Sequence, residues 1–552
     1  MTTVRGQLRD LLADAVQRAQ QQGVLPAVAV PEITVENPQN PEHGDYASNI
    51  ALRMARTARM DPMSIALALA NQMSSVGFLS SVDVARPGFL NFRLSPAWLA
   101  SQVEEILAQG DRFGAISLGN GEKVQIEYVS ANPTGPLPVG AGRGAALGDS
   151  LARILSLAGY KVEREYYVND AGARMEAFYS TLYARYLQQF DVPAEVPADG
   201  YAGEYMVELA GEIAQERGRE FLDMPREEAL PKLGRLGTDK MVGRIRADLA
   251  RMNVHFDNWF SEQSLYDDSQ VTKSIGILQK KGYVAEREGA VWFVSSALGE
   301  EKDNVLVRTN GAPTYFASDV AYHYDKFVLR GFDKVIDIWG ADHQGHVPRM
   351  KAMVSALGID PDRLILLLYQ LVSLKRGGKA VRMSKRTGEI ITLDEVLEEV
   401  GPDAVRFFLL ARSADAMMDF DLDLAKEESS ENPVYYVQYA HARIASILRY
   451  ASEVDFSDGD VSLLTSQPEQ DLIRKMVILP ELVEIAASNL EPHHLPHYAQ
   501  EIAAVFHSFY KQCRVVTEDE ALTKARLKLV SACKLVLGNT LSLMGVNAPE
   551  QM

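Results

Sequence analysis

One stretch in the first third of the chain constrains the fold more than any other. Residues 123–129 (KVQIEYV) form a short apolar run, and residues 130–155 (SANPTGPLPVGAGRGAALGDSLARIL) indicate a Gly/Pro-rich turn followed by a helix. Residues 161–170 (KVEREYYVND) predict a second strand. Two strands joined by a helix through short connections form a βαβ unit, which requires a parallel sheet. The chain is therefore predicted to contain an α/β domain whose turn before the helix suits a nucleotide phosphate.

The chain of 552 residues exceeds what one hydrophobic core usually holds, so several domains are expected. A Pro-containing start and long charged helices predict an insertion in the α/β domain at about 190–290, after which sheet character returns. From about residue 400 onward the pattern is helical throughout. The predicted regions are an α+β domain over 1–112, the α/β domain over 113–372, a connecting region over 373–430 and an all-α domain over 431–552.

Composition excludes several classes of protein. The apolar fraction of 47% and the charged fraction of 24% are typical of a soluble globular chain, and no run of about 18 uncharged apolar residues predicts a membrane span. The N-terminus lacks the apolar block of a secretory signal, so we expect a cytoplasmic protein. Two cysteines, Cys513 and Cys533, exclude a disulfide framework. The net charge of −18 argues against diffuse binding of nucleic acid but allows a local basic patch.

A second stretch with chemical content is GGKAVRMSKRTGEIITLDEV, residues 377–396. Four cations lie in this Gly-flanked part of an acidic protein: Lys379, Arg382, Lys385 and Arg386. A helix follows, with Thr392 or Asp394 as its predicted cap. A cationic loop can close over a polyphosphate and neutralise the charge that develops during group transfer. The ordinary alternative is a solvated basic loop, which the MSK core followed by RTG disfavours.

The segment RMSKRTG resembles the KMSKS loop of class I aminoacyl-tRNA synthetases, and residues 130–143 resemble their other signature, the HIGH tetrapeptide. Longer segments are similar to arginyl-tRNA synthetases in particular: IEYVSANPTGPL, YYVNDAG, APTYFASDVAYHYDKF, WGADHQGHVPRMKA and NPVYYVQYAHARIASILR. HGDYASNIALRMAR and PGFLNFRLS resemble the additional N-terminal domain of that family. The resemblance implies a Rossmann-like parallel-sheet catalytic domain, an α+β N-terminal domain that binds tRNA, a connecting region with the KMSK loop and an all-α anticodon-binding domain.

The chain departs from the family at the tetrapeptide. The family pattern is L-H-V-G-H-G-R, whereas this chain has Pro138 and Ala141 in place of both histidines. In the family those imidazoles contact the ATP phosphates, and neither replacement has a side-chain donor. Losing one preorganised donor at such a site typically costs about 10²–10³ in rate. Three explanations stay open: a degenerate paralogue, an enzyme that works with weaker help, and a deliberately altered sequence.

The resemblance also implies residues for each substrate. The catalytic set is Lys385, Arg382 and Ser384, with Mg²⁺ bridging the ATP phosphates. The ATP-binding set is Pro138, Val139, Gly140, Ala141, Gly142, Gly340, Asp342, His343, Met383 and Lys385. The arginine-binding set is Glu127, Ser130, Asn132, Tyr315, Asp319 and Gln344. Asp319 would pair with the guanidinium, and Tyr315, four residues earlier, would share its helix face.

Two groups of residues are implied to contact tRNA(Arg). They are His43, Asp45, Tyr46 and Asn49 near the N-terminus, and Tyr435, Gln438, Tyr439 and Arg443 near residue 440. Unpaired bases are read by stacking and edge hydrogen bonds, although a Tyr-rich helix packed on its neighbours is the ordinary alternative. Three histidines, His323, His343 and His346, suggest zinc, but acidic or thiol partners at regular ligand spacing are missing, so we predict no metal site.

The first functional hypothesis is a ligase that activates L-arginine with ATP to arginyl-adenylate and transfers the arginyl group to tRNA(Arg). We expect it to act as a cytoplasmic monomer without a membrane partner. The alternative is a catalytically weakened, synthetase-like paralogue or altered sequence that binds tRNA or arginine with little turnover. A third possibility, an unrelated nucleotidyltransferase, gives no reason for RNA-facing terminal domains.

Overall fold

The structure is a computed structural model that describes residues 3–73, 76–381 and 390–552. The elements of the N-terminal domain are α1 Val4–Gln21, β1 Tyr46–Ser48, α2 Ile50–Ala58, α3 Pro62–Gln72, β2 Leu79–Ala85, β3 Phe89–Leu94 and α4 Pro96–Gln109. The strands form an antiparallel sheet in the order β1–β3–β2, against which α2 and α3 pack. This arrangement confirms the predicted α+β class of the domain.

The second domain is built on a parallel sheet. Its elements are β4 Lys123–Glu127, α5 Val139–Leu157, β5 Lys161–Val168, α6 Ala173–Gln188, α7 Glu204–Arg217, α8 Arg226–Arg251, β6 Asn258–Ser261, α9 Glu262–Asp267, α10 Gln270–Lys280, β7 Val284–Arg287, β8 Ala290–Phe293, β9 Asn304–Val307, α11 Tyr315–Tyr324, β10 Lys334–Gly340, α12 Val347–Ala356 and β11 Leu364–Tyr369. The sheet order is β11–β10–β4–β5–β6, and every pair is parallel. The predicted βαβ unit is therefore β4–α5–β5, and the α/β prediction is confirmed.

Helix α5 lies close against this sheet, and its small residues make that possible. A Cβ atom at Gly148 would lie 2.2 Å from the ring of Tyr128, and one at Gly144 would lie 3.1 Å from the ring of Tyr369. The first distance excludes any side chain at Gly148, and the second leaves room for one at Gly144 only if the Tyr369 ring shifts. The small residues of the stretch GAGRGAALGD therefore bring the start of α5 to the centre of the sheet.

The insertion predicted over 190–290 is interrupted by a strand of the main sheet. Strand β6 pairs with β5 and forms one edge of the parallel sheet, so the inserted helices α7 and α8 end before residue 258. The four residues NWFS are too few to show a strand pattern within a helical and charged stretch. A three-stranded antiparallel sheet, β7–β8–β9, then follows before α11.

The remaining elements connect the parallel sheet to a helical bundle. They are β12 Val372–Arg376, β13 Lys379–Val381, α13 Leu393–Val400, α14 Pro402–Leu410, β14 Met418–Asp421, α15 Leu422–Lys426, α16 Pro433–Tyr450, α17 Gln467–Met476, α18 Leu479–Asn489, α19 His494–Gln512 and α20 Glu520–Met544. Strand β14 pairs in parallel with β12, which differs from the expectation of helices alone after residue 400. By length and composition α20 could span a membrane, but 67% of its apolar window is buried in the bundle.

Candidate active site

The carboxyl ends of four strands lie along one edge of the parallel sheet, and the space beyond this edge is the candidate cleft. Glu127 ends β4, Asn169 and Asp170 follow β5, Glu262 follows β6 and Gly340 ends β10. Strands β5 and β6 extend the sheet on one side of β4, and β10 and β11 extend it on the other. Open α/β sheets bind ligands at this edge, where the direction of chain progression reverses. Helix α5 begins at that point and contributes its N-terminus to the cleft.

The loop after β4 is strained and held by hydrogen bonds. Val129 and Ser130 have positive φ values of 69° and 40°, which cost energy for residues with a side chain. The Ser130 hydroxyl donates to Glu127 Oε1 at 2.9 Å and accepts from the Tyr167 amide at 3.1 Å. The Asn169 side-chain amide donates to the Ser130 carbonyl oxygen at 2.9 Å. These bonds hold the loop in a conformation that keeps Glu127 and Ser130 together.

A buried ion cluster lies beneath Glu127. Lys326 Nζ donates to Glu127 Oε2 at 2.6 Å and to Asp337 Oδ1 at 2.8 Å, and its side chain is 0% exposed. His323 Nε2 lies 2.9 Å from the second oxygen of Asp337. Burial raises the pKa of Glu127, and Lys326 opposes that shift. Glu127 was predicted from the family resemblance, whereas Lys326 and Asp337 beside it were not.

Two further carboxyl groups, Glu262 after β6 and Asp319 on α11, lie close enough to interact electrostatically. Burial raises the pKa of Asp319 to about 6 and that of Glu262 to about 7, and repulsion from Asp319 and Asp170 adds to the rise at Glu262. Glu262 is 2% exposed, and its Oε2 has no hydrogen-bond partner among the described residues. Tyr315 starts α11, is 49% exposed and lies against Gly172, where a Cβ atom would be 3.5 Å from its hydroxyl.

Buried carboxyls with raised pKa values and an unused acceptor oxygen suit a cationic, multidentate ligand. Such a ligand restores the charge balance that burial disturbs, because it ionises both groups. Sequence analysis predicted Asp319 and Tyr315 but missed Glu262. Glu262 directly follows β6, but a strand of only four residues is too short to be predicted from its sequence pattern.

Pro138 fits the start of α5 without loss of a backbone hydrogen bond. It is the N-cap residue, with φ −70° and ψ 152°. The Val139 amide donates to the Ile391 carbonyl oxygen at 3.1 Å, and the Leu393 amide donates to the Leu137 carbonyl oxygen at 2.7 Å. Pro138 lies between these two bonds, so its missing N–H breaks neither of them. The replacement therefore changes the chemistry of the tetrapeptide and leaves its backbone intact.

The other residues of the tetrapeptide differ in their surroundings. Among the described residues, no heavy atom beyond its chain neighbours and its own helix backbone lies within 4 Å of a Cβ built at Gly140, so the cleft is open there. Gly142 is packed closely, since a Cβ atom would be 2.8 Å from the side chain of Leu393. Ala141 is buried. The start of α5 thus has a backbone that a ligand can approach, next to α13 and the segment that precedes it.

The residues after β10 lie at the same edge of the sheet. Asp342, His343 and Gln344 are exposed in the turn that links β10 to α12. The rings of His343 and His346 are 5.5 Å apart, whereas His323 is buried at Asp337. The three histidines therefore do not converge on one point.

The predicted residues Arg382, Met383, Ser384 and Lys385 lie outside the described residues. The segment that follows them is described from Ile390 and pairs with the tetrapeptide through residues 391–393. Thr392 forms a capping box with Glu395 at the start of α13, so Thr392, and not the alternative Asp394, is the cap.

Comparisons with known proteins show the family of the chain. Three family models match successive parts of the chain: the arginyl tRNA synthetase N terminal domain at residues 6–94, the catalytic domain of class I (R) tRNA synthetases at 102–445 and the DALR anticodon binding domain at 437–552. A protein of Dehalococcoides mccartyi named arginine–tRNA ligase is 55% identical over 98% of both chains. The chain belongs to the arginyl-tRNA synthetase family. A Caldanaerobacter subterraneus relative of the same name is 49% identical over 99% of this chain and 98% of its own.

The solved arginyl-tRNA synthetase of Thermus thermophilus has the same fold along the whole chain. It is 25% identical, with a TM-score of 0.78 and full coverage of both chains. The predicted fold class, a Rossmann-like catalytic domain with an α+β N-terminal domain and an all-α C-terminal domain, is that of the arginyl-tRNA synthetase family.

One of the tRNA-facing residues predicted in the synthetase N-terminal domain is wrong. The predicted set lies around β1: His43, Asp45, Tyr46 and Asn49. Tyr46 is 1% exposed and donates to Glu481 Oε1 at 2.8 Å, so it cannot face RNA in this structure. Asp45 accepts from Arg474 Nε at 2.9 Å. Both residues join the N-terminal domain to α17 and α18, while His43 remains exposed.

The predicted tRNA-facing residues of α16 fall into two groups. Tyr435 and Tyr439 are stacked with ring centroids 6.3 Å apart, and Arg443 lies over the rings of Tyr439 and Tyr510 at 5.5 and 4.6 Å. A groove of about 1020 Å³ begins there, and its cationic lining residues are Arg443, Arg449, Lys511 and Arg514. Gln438 instead donates to Asp403 at 2.8 Å and to the Asn547 carbonyl oxygen at 2.9 Å, which links the bundle to α14.

Proposed function

We propose that this cleft performs the arginine–tRNA ligase reaction of its family. An oxygen of the arginine carboxylate attacks the α-phosphorus of ATP, and pyrophosphate leaves. The terminal ribose hydroxyl of tRNA(Arg) then attacks the carbonyl carbon of arginyl-adenylate, and AMP leaves. The proposal depends on the pair of carboxyls, Glu262 and Asp319, since a buried oxygen of Glu262 has no hydrogen-bond partner in the described part of the chain.

The arginine side chain fits that pair. A guanidinium has a planar fork of five N–H donors, and carboxylates are the acceptors that match it in both charge and geometry. Glu262 and Asp319 would bind the fork, with Tyr315 over the entrance. At the other end of the substrate, Glu127 and Asn132 would hold the α-amino group, and Ser130 and Gln344 would line the space between.

The ATP half of the cleft depends on the start of α5 and the turn after β10. The amide of Gly140 and the N-terminus of α5 favour an anion, with Val139, Ala141, Gly142 and Pro138 forming the floor. Gly340, Asp342 and His343 would contact the adenosine. Mg²⁺ is expected to enter bound to the phosphates of ATP. Lys385, with Arg382 and Ser384 nearby, would neutralise the charge on the leaving pyrophosphate, and Met383 would contact the nucleotide.

Without side-chain donors at positions 138 and 141, catalysis relies on positioning and on the remaining cations. Holding two reactants in a near-attack geometry supplies a large share of the rate in such reactions. Electrostatic stabilisation of the transferring phosphate supplies the rest, and this is the part that the two replacements reduce. We therefore propose an active but slow enzyme, which acts as a cytoplasmic monomer on tRNA(Arg).

The test is the charging of total tRNA with labelled arginine, together with arginine-dependent ATP–pyrophosphate exchange with and without tRNA. We expect charging with arginine and none with citrulline, whose neutral urea group cannot ionise the two carboxyls. Equal charging with citrulline contradicts the assignment of Glu262 and Asp319.

The missing histidines favour a second candidate, a protein that binds arginine or tRNA without turnover. Arginine binding by calorimetry, with no charging and no exchange under either condition, would support this candidate and contradict the first. Measurable charging excludes it.

A further inference from the structure

Lys326 is a fully buried cation that the proposed reaction does not use directly. Helix α11 continues after Tyr324 into one π-helical turn, Asp325–Leu329. Such turns occur frequently at functional sites. The turn directs Lys326 into the interior, where its ammonium lies 4.0 Å from the centre of the Tyr322 ring and bonds to Glu127 and Asp337.

The two carboxylates that Lys326 joins are direct neighbours in the sheet. Glu127 on β4 and Asp337 on β10 are register partners of parallel strands, and both are buried. Two buried carboxylates on paired positions of adjacent strands repel each other, and this repulsion favours the uptake of a proton by one of them. The cation between them removes that repulsion.

The two carboxylates depend on Lys326 to different degrees. Asp337 is also bonded to His323, and although burial opposes ionisation, Lys326 and His323 lower its pKa to about 2. The second oxygen of Glu127 accepts only the neutral hydroxyl of Ser130 among its described hydrogen-bond partners, and burial keeps its pKa raised. Glu127 is therefore the carboxylate that takes up a proton when the cation is removed.

We propose that Lys326 is a positioning residue for the α-amino group of arginine, because it keeps the Glu127 carboxylate ionised and directed at the cleft. The inference rests on the proposed role of Glu127 as the partner of that group. Lys326 itself touches no substrate, since the carboxylate lies between it and the cleft. A protonated Glu127 offers the substrate ammonium a neutral acid and loses most of the attraction between them.

The charged and titratable groups that face Glu127 belong to several elements. They are Asp337 on β10, Tyr167 on β5, Asp319 and Tyr322 on α11, and Lys326 in the π-helical turn, while His323 reaches the group through Asp337. Among the described residues, Lys326 is the cation that hydrogen-bonds to Glu127. Substituting Lys326 therefore changes the charge of Glu127 more directly than any other substitution in this set.

The test compares Lys326→Met with Arg330→Met in aminoacylation kinetics between about pH 6.5 and 8.5. Arg330 is the matched control, because it directly follows the same π-helical turn but its guanidinium donates to Glu165 on β5. We expect Lys326→Met to raise the KM for arginine about 10-fold to 100-fold near pH 7, the range for a hydrogen bond to a charged group. The KM for ATP stays within about twofold, and the arginine defect shrinks as pH rises and Glu127 loses its proton.

Two further variants make the test decisive. Lys326→Met/Asp337→Asn removes the cation together with the neighbouring carboxylate, so it keeps the buried charge balanced if the single variant fails to fold. We expect a smaller defect of the same pH dependence. In Glu127→Gln the KM for arginine rises at every pH, and adding Lys326→Met to it causes no further increase.

Two results separate this inference from the proposed function. If Glu127→Gln raises the arginine KM while both Lys326 variants behave like Arg330→Met, Lys326 is a structural residue and the inference is overturned. If Glu127→Gln leaves the arginine KM unchanged, the assignment of the α-amino site is wrong, and the inference falls with it.

Discussion

The arginine half and the ATP-phosphate half of the cleft differ in what their side chains retain. The proposed arginine half has three buried or mostly buried carboxyls, Glu127, Glu262 and Asp319, and burial raises the pKa of each. In the phosphate half, Pro138 and Ala141 offer no donor, yet the backbone around them keeps its hydrogen bonds to residues 391–393. On the proposed assignment, the groups that are kept would recognise arginine in the ground state, and those that are missing would stabilise charge in the transition state. Recognition and rate are therefore separable in this chain.

The largest expected effect tests that separation directly. Pro138→His/Ala141→His adds two imidazole donors at positions where the backbone already has the conformation of an N-cap and first turn. We expect kcat for aminoacylation to rise about 10²–10⁴-fold, since one donor is worth about 10²–10³ and two need not add. Steady-state kinetics with saturating arginine and tRNA measure the gain.

The KM for arginine is the internal control of that experiment, and we expect it to stay within about threefold because the histidines do not reach the guanidinium pocket. The two single variants show whether one position dominates. An unchanged kcat contradicts the idea that the phosphate half limits the rate.

The next largest effect concerns the arginine half alone. Asp319→Asn leaves a guanidinium facing a neutral amide, and removing one partner of a buried charge pair costs about 2–5 kcal/mol, or at least about 30-fold in the KM for arginine. The KM for ATP is expected to stay the same. Asp325→Asn, on the following turn and paired with Arg330 instead, is the matched control. A parallel rise of both KM values in Asp319→Asn would show that the two halves are not independent.

These halves also differ in how far the sequence predicts them. The βαβ unit and the start of α13 depend on local patterns, namely apolar runs and a polar cap residue, and both were predicted correctly, with Thr392 as one of two candidate caps. Glu262 could not be found this way, because its position at the sheet edge arises from the pairing of a four-residue strand with β5. Tyr46 is buried and donates a hydrogen bond to Glu481, 435 residues later in the chain, so no local sequence pattern predicts the contact.

A smaller effect is a pH dependence confined to the arginine half. The pKa values are about 6 for Asp319 and about 7 for Glu262, so near pH 6 Asp319 is partly protonated and Glu262 is largely protonated. Both groups must ionise when a guanidinium binds. Arginine affinity therefore rises with pH, and we expect the Kd to fall about tenfold between about pH 6 and 8. Calorimetry in buffers of different ionisation enthalpy measures the protons released. Binding of arginine without proton release near pH 6.5 would contradict the raised pKa values. The affinity for ATP, which does not depend on these two carboxyls, is the control.

The smallest expected effect is on stability, and it comes from the same buried carboxyl of Glu262. Because its pKa in the folded chain lies above that in the unfolded chain, the folded state loses stability as pH rises through about 7. Glu262→Gln removes that loss but leaves a buried amide short of partners, so we expect a net gain of about 1 kcal/mol near pH 8 and a net loss near pH 5. Thermal unfolding at both pH values measures the change, with the exposed Glu228→Gln as the control for losing one negative charge. If Glu262→Gln lowers the stability by the same amount at both pH values, Glu262 is already ionised in the folded state at pH 5. Arginine would then bind without the proton release described above.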